Sequence, residues 1–292
     1  MKQTTKPSFR LELKKFDPKK IKDDSVIVAI AARNRGKSVC IKDILSYHTS
    51  IPIGMVISPT EHANSYFQDF IPKMLIHDEY TPELINKYVQ RQQKISGKYK
   101  KELENFGYSS VDPRSFLVMD DAMYDKTWGN DTNIRKIFMN GRHYKILFLL
   151  TMQFPMGISP VLRTNIDYVF IFKENIKKNK ERLYEHYAGM FPNLQVFEQV
   201  LDQVTQDYGC LVIDNRAIGS KLEDQVFWYK ADPSKKFKLC DSALWDMQAV
   251  QDEKEKLSSF NDKDDEDEQY DPNIVIKNSK NACKITVKKT QY

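Results

Sequence analysis

Two polar clusters at the ends of apolar runs carry the chemistry of this chain. The first is the loop Arg33-Asn34-Arg35-Gly36-Lys37-Ser38, which follows the β-rich run 26–31 and precedes a helical pattern through Ile41, Ile44 and Leu45. Strand, tight loop and helix in that order make a Walker A phosphate cradle, because the first N–H groups of a helix lack internal acceptors and face an anion. Gly36 lets the backbone approach the phosphates closely. Lys37 is placed to reach the β- and γ-phosphates of ATP, and the Ser38 hydroxyl to ligand Mg²⁺. The nucleotide-binding set is Ala32, Arg33, Asn34, Arg35, Gly36, Lys37, Ser38 and Val39. One departure is Ala31, five residues before Gly36, where the pattern has its first glycine. Alanine fits there if the position keeps a negative φ.

The second cluster closes the run Ser115-Phe116-Leu117-Val118-Met119 with Asp120 and Asp121, the form of a Walker B strand. Asp120 is the expected partner of Mg²⁺, near Ser38. Asp121 is placed to polarise the attacking water. It is shorter than the glutamate many ATPases use, so it would work through a shifted backbone or an intervening water. A third strand, 145–152, ends in Gln153, which a doubly wound sheet would bring near the γ-phosphate as a sensor. Arg142, Arg163 and Arg135 are the candidate guanidiniums for the charge of a transferred phosphoryl group. In a ring, one of them would act across a subunit boundary.

These residues need a scaffold that brings strand ends together. Short apolar runs at 26–31, 54–58, 116–119, 146–151, 168–172, 210–213 and 226–229 read as buried strands. Helical patterns at 37–46, 83–106, 132–141, 177–189 and 193–207 separate most of them. The alternation predicts an α/β fold with a doubly wound, mostly parallel sheet, in which adjacent parallel strands expose lysine, hydroxyl and both acids together. The last two runs lie close enough for an edge hairpin. The polar segment 83–106 is either an exposed insertion or a partner-facing helix.

The 292 residues suffice for one large domain with appendages. Residues 1–24 form a basic arm carrying Lys2, Lys6, Arg10, Lys14, Lys15, Lys19, Lys20 and Lys22, with an alternating stretch Phe9-Arg10-Leu11-Glu12-Leu13 expected as an edge strand. The ATPase domain is expected over 25–245. From 246 to 292 the composition collapses to charged and polar residues, too few of them apolar to offset the entropy of ordering. Within that tail, 252–271 holds ten acids against three lysines, and 272–292 holds five lysines and no acid. The remaining body is modestly basic, compatible with a polyanion partner. No apolar stretch reaches bilayer-spanning length, and Met1-Lys2-Gln3 opens no signal peptide. Cys40, Cys210, Cys240 and Cys283 lack paired metal spacing and read as reduced thiols.

Taken in order, Ile57-Ser58-Pro59-Thr60, Phe70-Ile71-Pro72, Ile76-His77, Leu117-Val118-Met119-Asp120-Asp121, Asn140-Gly141-Arg142-His143-Tyr144, Thr151-Met152-Gln153 and Arg163-Thr164-Asn165 form a set that resembles the DNA-packaging ATPases of nucleocytoplasmic large DNA viruses, in the FtsK–HerA superfamily. The resemblance covers roughly residues 26–214. It implies a homo-oligomeric ring that hydrolyses ATP with Mg²⁺ and drives double-stranded DNA into a preformed capsid. Partners would be capsid or portal-type viral proteins, and the place of action the host cytoplasm at the virus assembly site, or the virion. It also implies that Lys37, Ser38, Asp120, Asp121 and Gln153 are nucleotide-site residues. The arginine finger stays open between Arg142 and Arg163, with Arg142 favoured by its Gly-Arg context. Two other readings use the same loop: a monomeric nucleotide switch or small-molecule kinase, and a nucleotide-binding scaffold without turnover. No guanine-reading Asn-Lys-x-Asp is present.

Overall fold

The computed structural model describes residues 11–121 and 128–261. The chain divides into two units after Gln248, and everything below except the end of the last helix lies in the first.

Among the described residues, nine strands form one sheet: β1 (Lys14–Lys15), β2 (Val26–Ile30), β3 (Gly54–Ile57), β4 (Ile76–His77), β5 (Ser115–Met119), β6 (Ile146–Met152), β7 (Tyr168–Ile171), β8 (Cys210–Asp214) and β9 (Val226–Tyr229). Their spatial order is β1-β9-β8-β7-β2-β6-β5-β3-β4. Every neighbouring pair is parallel except β7/β8 and β8/β9. Among the described strands β8 alone therefore runs against the rest and pairs antiparallel with β9 as expected, but β1 lies outside β9, so the pair is not at the sheet edge. All seven strands anticipated from their apolar runs are present, within a residue or two of the expected limits.

The continuous apolar runs have a plain cause. Successive side chains point to opposite faces, and both faces are covered. Val28, Ile30, Leu117, Met119, Phe148 and Leu150 belong to one core. Ile27, Ala29, Phe116, Val118, Leu147 and Leu149 belong to the other. The first core is closed by α3 (Pro82–Phe106), α4 (Thr132–Asn140), α6 (Lys177–Tyr187) and α7 (Leu194–Val204), through Ile85, Val89, Ile134, Ile137, Leu183 and Phe197. The second is closed by α1 (Lys37–Leu45), through Cys40, Ile41, Ile44 and Leu45, together with Phe67, Phe70 and Ile71. Short helices α2 (Glu61–Asn64), α5 (Pro160–Arg163) and α8 (Leu222–Gln225) fill connections, and α9 (Ser242–Asn261) is the last described element.

Four details differ from the sequence-based expectation. The described N-terminal strand is Lys14–Lys15, just past the alternating stretch, of which Phe9 and Arg10 lie outside the described residues, and Phe16 follows it into the core. Its buried ring meets Tyr168, Phe170, Phe227 and Tyr229 edge-on. Strand β4 was not anticipated, since two residues carry no period. Helix α3 is not the exposed insertion that was one of its two expected forms. Its first half buries Ile85, Tyr88, Val89, Gln92 and Ser96 on one stripe, and the Gln92 amide donates to the Pro113 and Tyr144 carbonyls at 3.0 Å each. Finally, α9 runs through position 246, where composition implied that order ends, while the tail strands suggested at 273–276 and 285–287 lie outside the described residues.

Candidate functional site: a cleft at the carboxyl ends of β2 and β5

The loop between β2 and α1 is built for close approach. Gly36 is the N-cap of α1, in a left-handed conformation (φ +89°), and no side chain caps the helix start. The first N–H groups of α1 are thus left for an anion. Asn34 also takes a positive φ of 58°, one of the few residue types that tolerate it. Ala31 is absent from the positive-φ positions, and its N–H donates to Met152 O at 3.0 Å, so alanine fits where the pattern has glycine.

Lys37 is buried, and its Nζ donates back to the loop, to Ala31 O at 3.0 Å and Ala32 O at 3.3 Å. Burial pushes its pKa down, opposed by the nearby charges of Asp121 and Asp120. The ammonium thus sits among carbonyls in the space where phosphate oxygens would be better partners.

The Ser38 hydroxyl donates to Asp120 Oδ2 at 3.0 Å. The pairing is not between adjacent strands, as the sequence suggested: β6 lies between β2 and β5. Its Thr151 supplies the missing link. Thr151 Oγ1 donates to Asp120 Oδ1 at 2.7 Å and accepts from the Asp121 N–H at 2.9 Å. Burial raises the pKa of Asp120, opposed by the Thr151 and Ser38 hydrogen bonds and the Lys37 charge. Nearby, burial and then the charge of Asp120 push the Tyr66 phenol up to about 12. Asp121 holds a left-handed backbone (φ 55°), and its carboxylate accepts from the Gln153 amide. A serine hydroxyl and a carboxylate are hard oxygen donors of the kind Mg²⁺ takes alongside its waters, so this pair fits the ion.

These groups line a cleft of ≈ 450 Å³ formed by residues 33–39, Thr60, Asn64, Asp120 and Asp121. Lys37, Ser38, Asp120 and Asp121 are therefore brought together in the cleft, and Gln153 joins them through its bond to Asp121 rather than as part of the lining. Thr60, Asn64 and Thr151 were not assigned a role from sequence. Thr151 carried the clearest signal, as the single polar side chain in Ile-Leu-Phe-Leu-Leu-Thr-Met.

The arginines lie elsewhere. Arg142 precedes β6 and pairs with the buried Asp167, which also accepts from the Val26 N–H at 2.8 Å. That is the opposite end of the sheet from Gln153, a strand length of about 23 Å for seven residues. Arg163 ends α5, with its guanidinium 5.7 Å from the Tyr187 ring centre. Arg135 is exposed on α4. None of the three lines the cleft of its own chain.

No family model matches the chain. Similar proteins include the uncharacterized protein L437 of Acanthamoeba polyphaga mimivirus, 42% identical over 223 residues that cover 76% of this chain and 78% of that protein. Another is the uncharacterized protein 075L of Invertebrate iridescent virus 6, 39% identical over 207 residues, 70% of this chain and 74% of that one. Among solved structures, the genome packaging NTPase B204 from Sulfolobus turreted icosahedral virus 2, in complex with ATP-gammaS, overlaps 72% of this chain and 99% of its own at 15% identity, with a TM-score of 0.48. EssC (ATPases 2 and 3) from Geobacillus thermodenitrificans overlaps 81% of this chain and 44% of its own at 14% identity, also with a TM-score of 0.48. The chain belongs to the family of large-DNA-virus proteins that includes mimivirus L437 and iridescent virus 075L.

Proposed function

We propose that this chain is an ATP-hydrolysing motor that moves double-stranded viral DNA into capsids. The observation that carries the ATPase reading is the Ser38–Asp120 contact, made across an intervening strand and braced by Thr151. With it go a buried lysine at the helix start and a second carboxylate held by a strand-end glutamine.

The roles follow from these positions. Lys37 exchanges its carbonyl partners for the β- and γ-phosphate oxygens, a charge-assisted contact that favours its ammonium form against burial. Ser38 and Asp120 hold Mg²⁺, which when bound would offset the negative charge of the phosphates. Asp121 orients the attacking water and accepts its proton. Gln153 bridges Asp121 and the γ-phosphate position, so loss of that phosphate changes what its amide can bond. Arg142 and Arg163 are left for a neighbouring subunit in a homo-oligomeric ring.

The DNA, capsid and cytoplasmic parts of this reading rest on the motif set and on the viral origin of the relatives. The test uses purified chain with MgATP. Turnover should rise on adding duplex DNA, and the rise should fade with salt, as sequence-independent phosphate contacts do. Lys37→Ala should abolish turnover with the fold intact by circular dichroism. Unchanged hydrolysis in that variant sinks the site, and absence of DNA stimulation at low salt sinks the motor.

A further inference from the structure

The Walker A loop has two flanks, and the site described above uses one. On that flank lie β6 and β5, with Gln153, Asp120 and Asp121. On the other lie β7 and then β8. Because β8 is reversed, the turn that enters it emerges at the same end of the sheet as the phosphate loop. That turn carries Tyr208.

Three features of Tyr208 are unusual together. Its side chain reaches the loop: Cδ1 lies 3.7 Å from the position a Cβ on Gly36 would occupy, with the Phe172 ring 3.9 Å from the same point. The residue is nevertheless 66% exposed. Its backbone is left-handed (φ 60°), as is that of Asp207 before it (φ 48°), and consecutive left-handed residues with side chains are unfavourable. Asp207 is held by an ion pair with Lys230 at the end of β9, so the turn is braced from the neighbouring strand. A large ring is thus displayed on a strained turn, with most of its surface in solvent and one edge against the phosphate loop. Packing among the described residues does not account for this display. A planar ligand would.

We propose that Tyr208 is the platform on which the purine base of a bound nucleotide stacks. The inference rests on the nucleotide reading of the Walker A loop and adds where the rest of the nucleotide goes. With the terminal phosphate facing Asp120, Asp121 and Gln153, the α-phosphate and nucleoside leave toward the opposite flank, where Tyr208 is an exposed aromatic among the described residues. Stacking uses the face of a base, which every base has, so such a platform binds without strong discrimination among bases. ATP and GTP should therefore compete at this site within about tenfold of each other, unlike a site that reads base edges by hydrogen bonds.

The test separates base from phosphate. Binding of MgATP and of inorganic tripolyphosphate with Mg²⁺ is measured by calorimetry on the full chain and on Tyr208→Ala and Tyr208→Phe. Loss of a base–aromatic stack predicts MgATP binding about tenfold or more weaker in Tyr208→Ala, with tripolyphosphate unchanged and Tyr208→Phe within about twofold of wild type. Tyr208→Trp adds an optical readout: its fluorescence should be quenched by MgATP and not by tripolyphosphate. Equal MgATP affinity in Tyr208→Ala, equal loss for both ligands, or no differential quench in Tyr208→Trp overturns the platform. Wild-type protein that binds neither probe overturns the nucleotide reading itself, a separate result. Wild-type protein that binds tripolyphosphate as tightly as MgATP leaves the loop intact and rejects the base site.

Discussion

Ser38 Oγ and Asp120 Oδ2 meet at 3.0 Å although 82 residues of chain and one whole strand separate them. The contact joins the start of α1 to the end of β5, and its two oxygens are the pair a magnesium ion would share. If that is its role, Ser38→Ala should weaken binding of ATP in the presence of Mg²⁺ by about ten- to hundred-fold, the size of a charge-assisted contact of about 1.5–3 kcal/mol. Binding with EDTA present should change little. Calorimetry with and without the ion checks this. A variant that keeps the full Mg²⁺ dependence would show that the hydroxyl is only a helix-start hydrogen bond.

Thr151 makes a separate prediction, because it serves both acids at once. Its hydroxyl donates to Asp120 and accepts from the Asp121 backbone, and it is fully buried. Thr151→Val keeps the shape and removes both bonds. Leaving a buried carboxylate and a backbone N–H short of partners costs about 1–3 kcal/mol, so the urea midpoint should fall. ATP turnover should fall as well, with the carboxylates no longer fixed. Thr151→Ser should recover most of both. Wild-type stability in the valine variant would show that Asp120 finds another donor.

Much of this site was legible in the sequence, for a physical reason. Strands buried on both faces must be apolar throughout, so polar residues appear abruptly at their ends, where Asp120 and Gln153 stand out, and Lys37 stands at the start of the helix that follows β2. Spatial order was not legible in the same way. Nothing in the residues of β6 says that it inserts between β2 and β5, and the Thr151 bridge follows only from that insertion. Phe16 is a second case. The basic residues around it suggested an edge strand or arm without saying what holds it, and one phenyl ring among four other aromatic rings ties the segment to the sheet edge. Tyr208 is a third, since a left-handed backbone at an aromatic leaves no compositional trace.

The position of Arg142 leads to a mixing experiment. Standing at the amino end of β6 and paired with Asp167, it is a full strand length from the cleft of its own chain. If it completes a neighbour's site, Arg142→Ala and Lys37→Ala proteins should each lack turnover alone. Mixed, they should regain part of it, because a site in an Arg142→Ala subunit can receive the arginine of a Lys37→Ala neighbour. Failure to complement, with each variant still assembling by sedimentation, would assign Arg142 to the Asp167 pair alone. The same mixing with Arg163→Ala tests the other candidate.

At the same end of the sheet, Asp23 links three separate segments. It accepts from His48 Nδ1 at 2.6 Å, after α1, and from Arg114 Nη1 at 2.7 Å, before β5. The His48 hydrogen bond above all, with Arg114 in support, holds its pKa near 2 against an ordinary 3.8 despite partial burial. The folded state therefore binds fewer protons at this group than the unfolded chain between those values. Its contribution to stability is complete above about pH 4 and is lost as pH falls toward 2. Asp23→Asn should be less stable than wild type near neutral pH and should lose part of the acid-side slope, so that the two stability curves converge as pH falls through that window. Urea unfolding at a series of pH values measures this. Parallel curves from pH 5 to pH 2 would mean that Asp23 titrates alike in both states and that the His48 contact adds no stability.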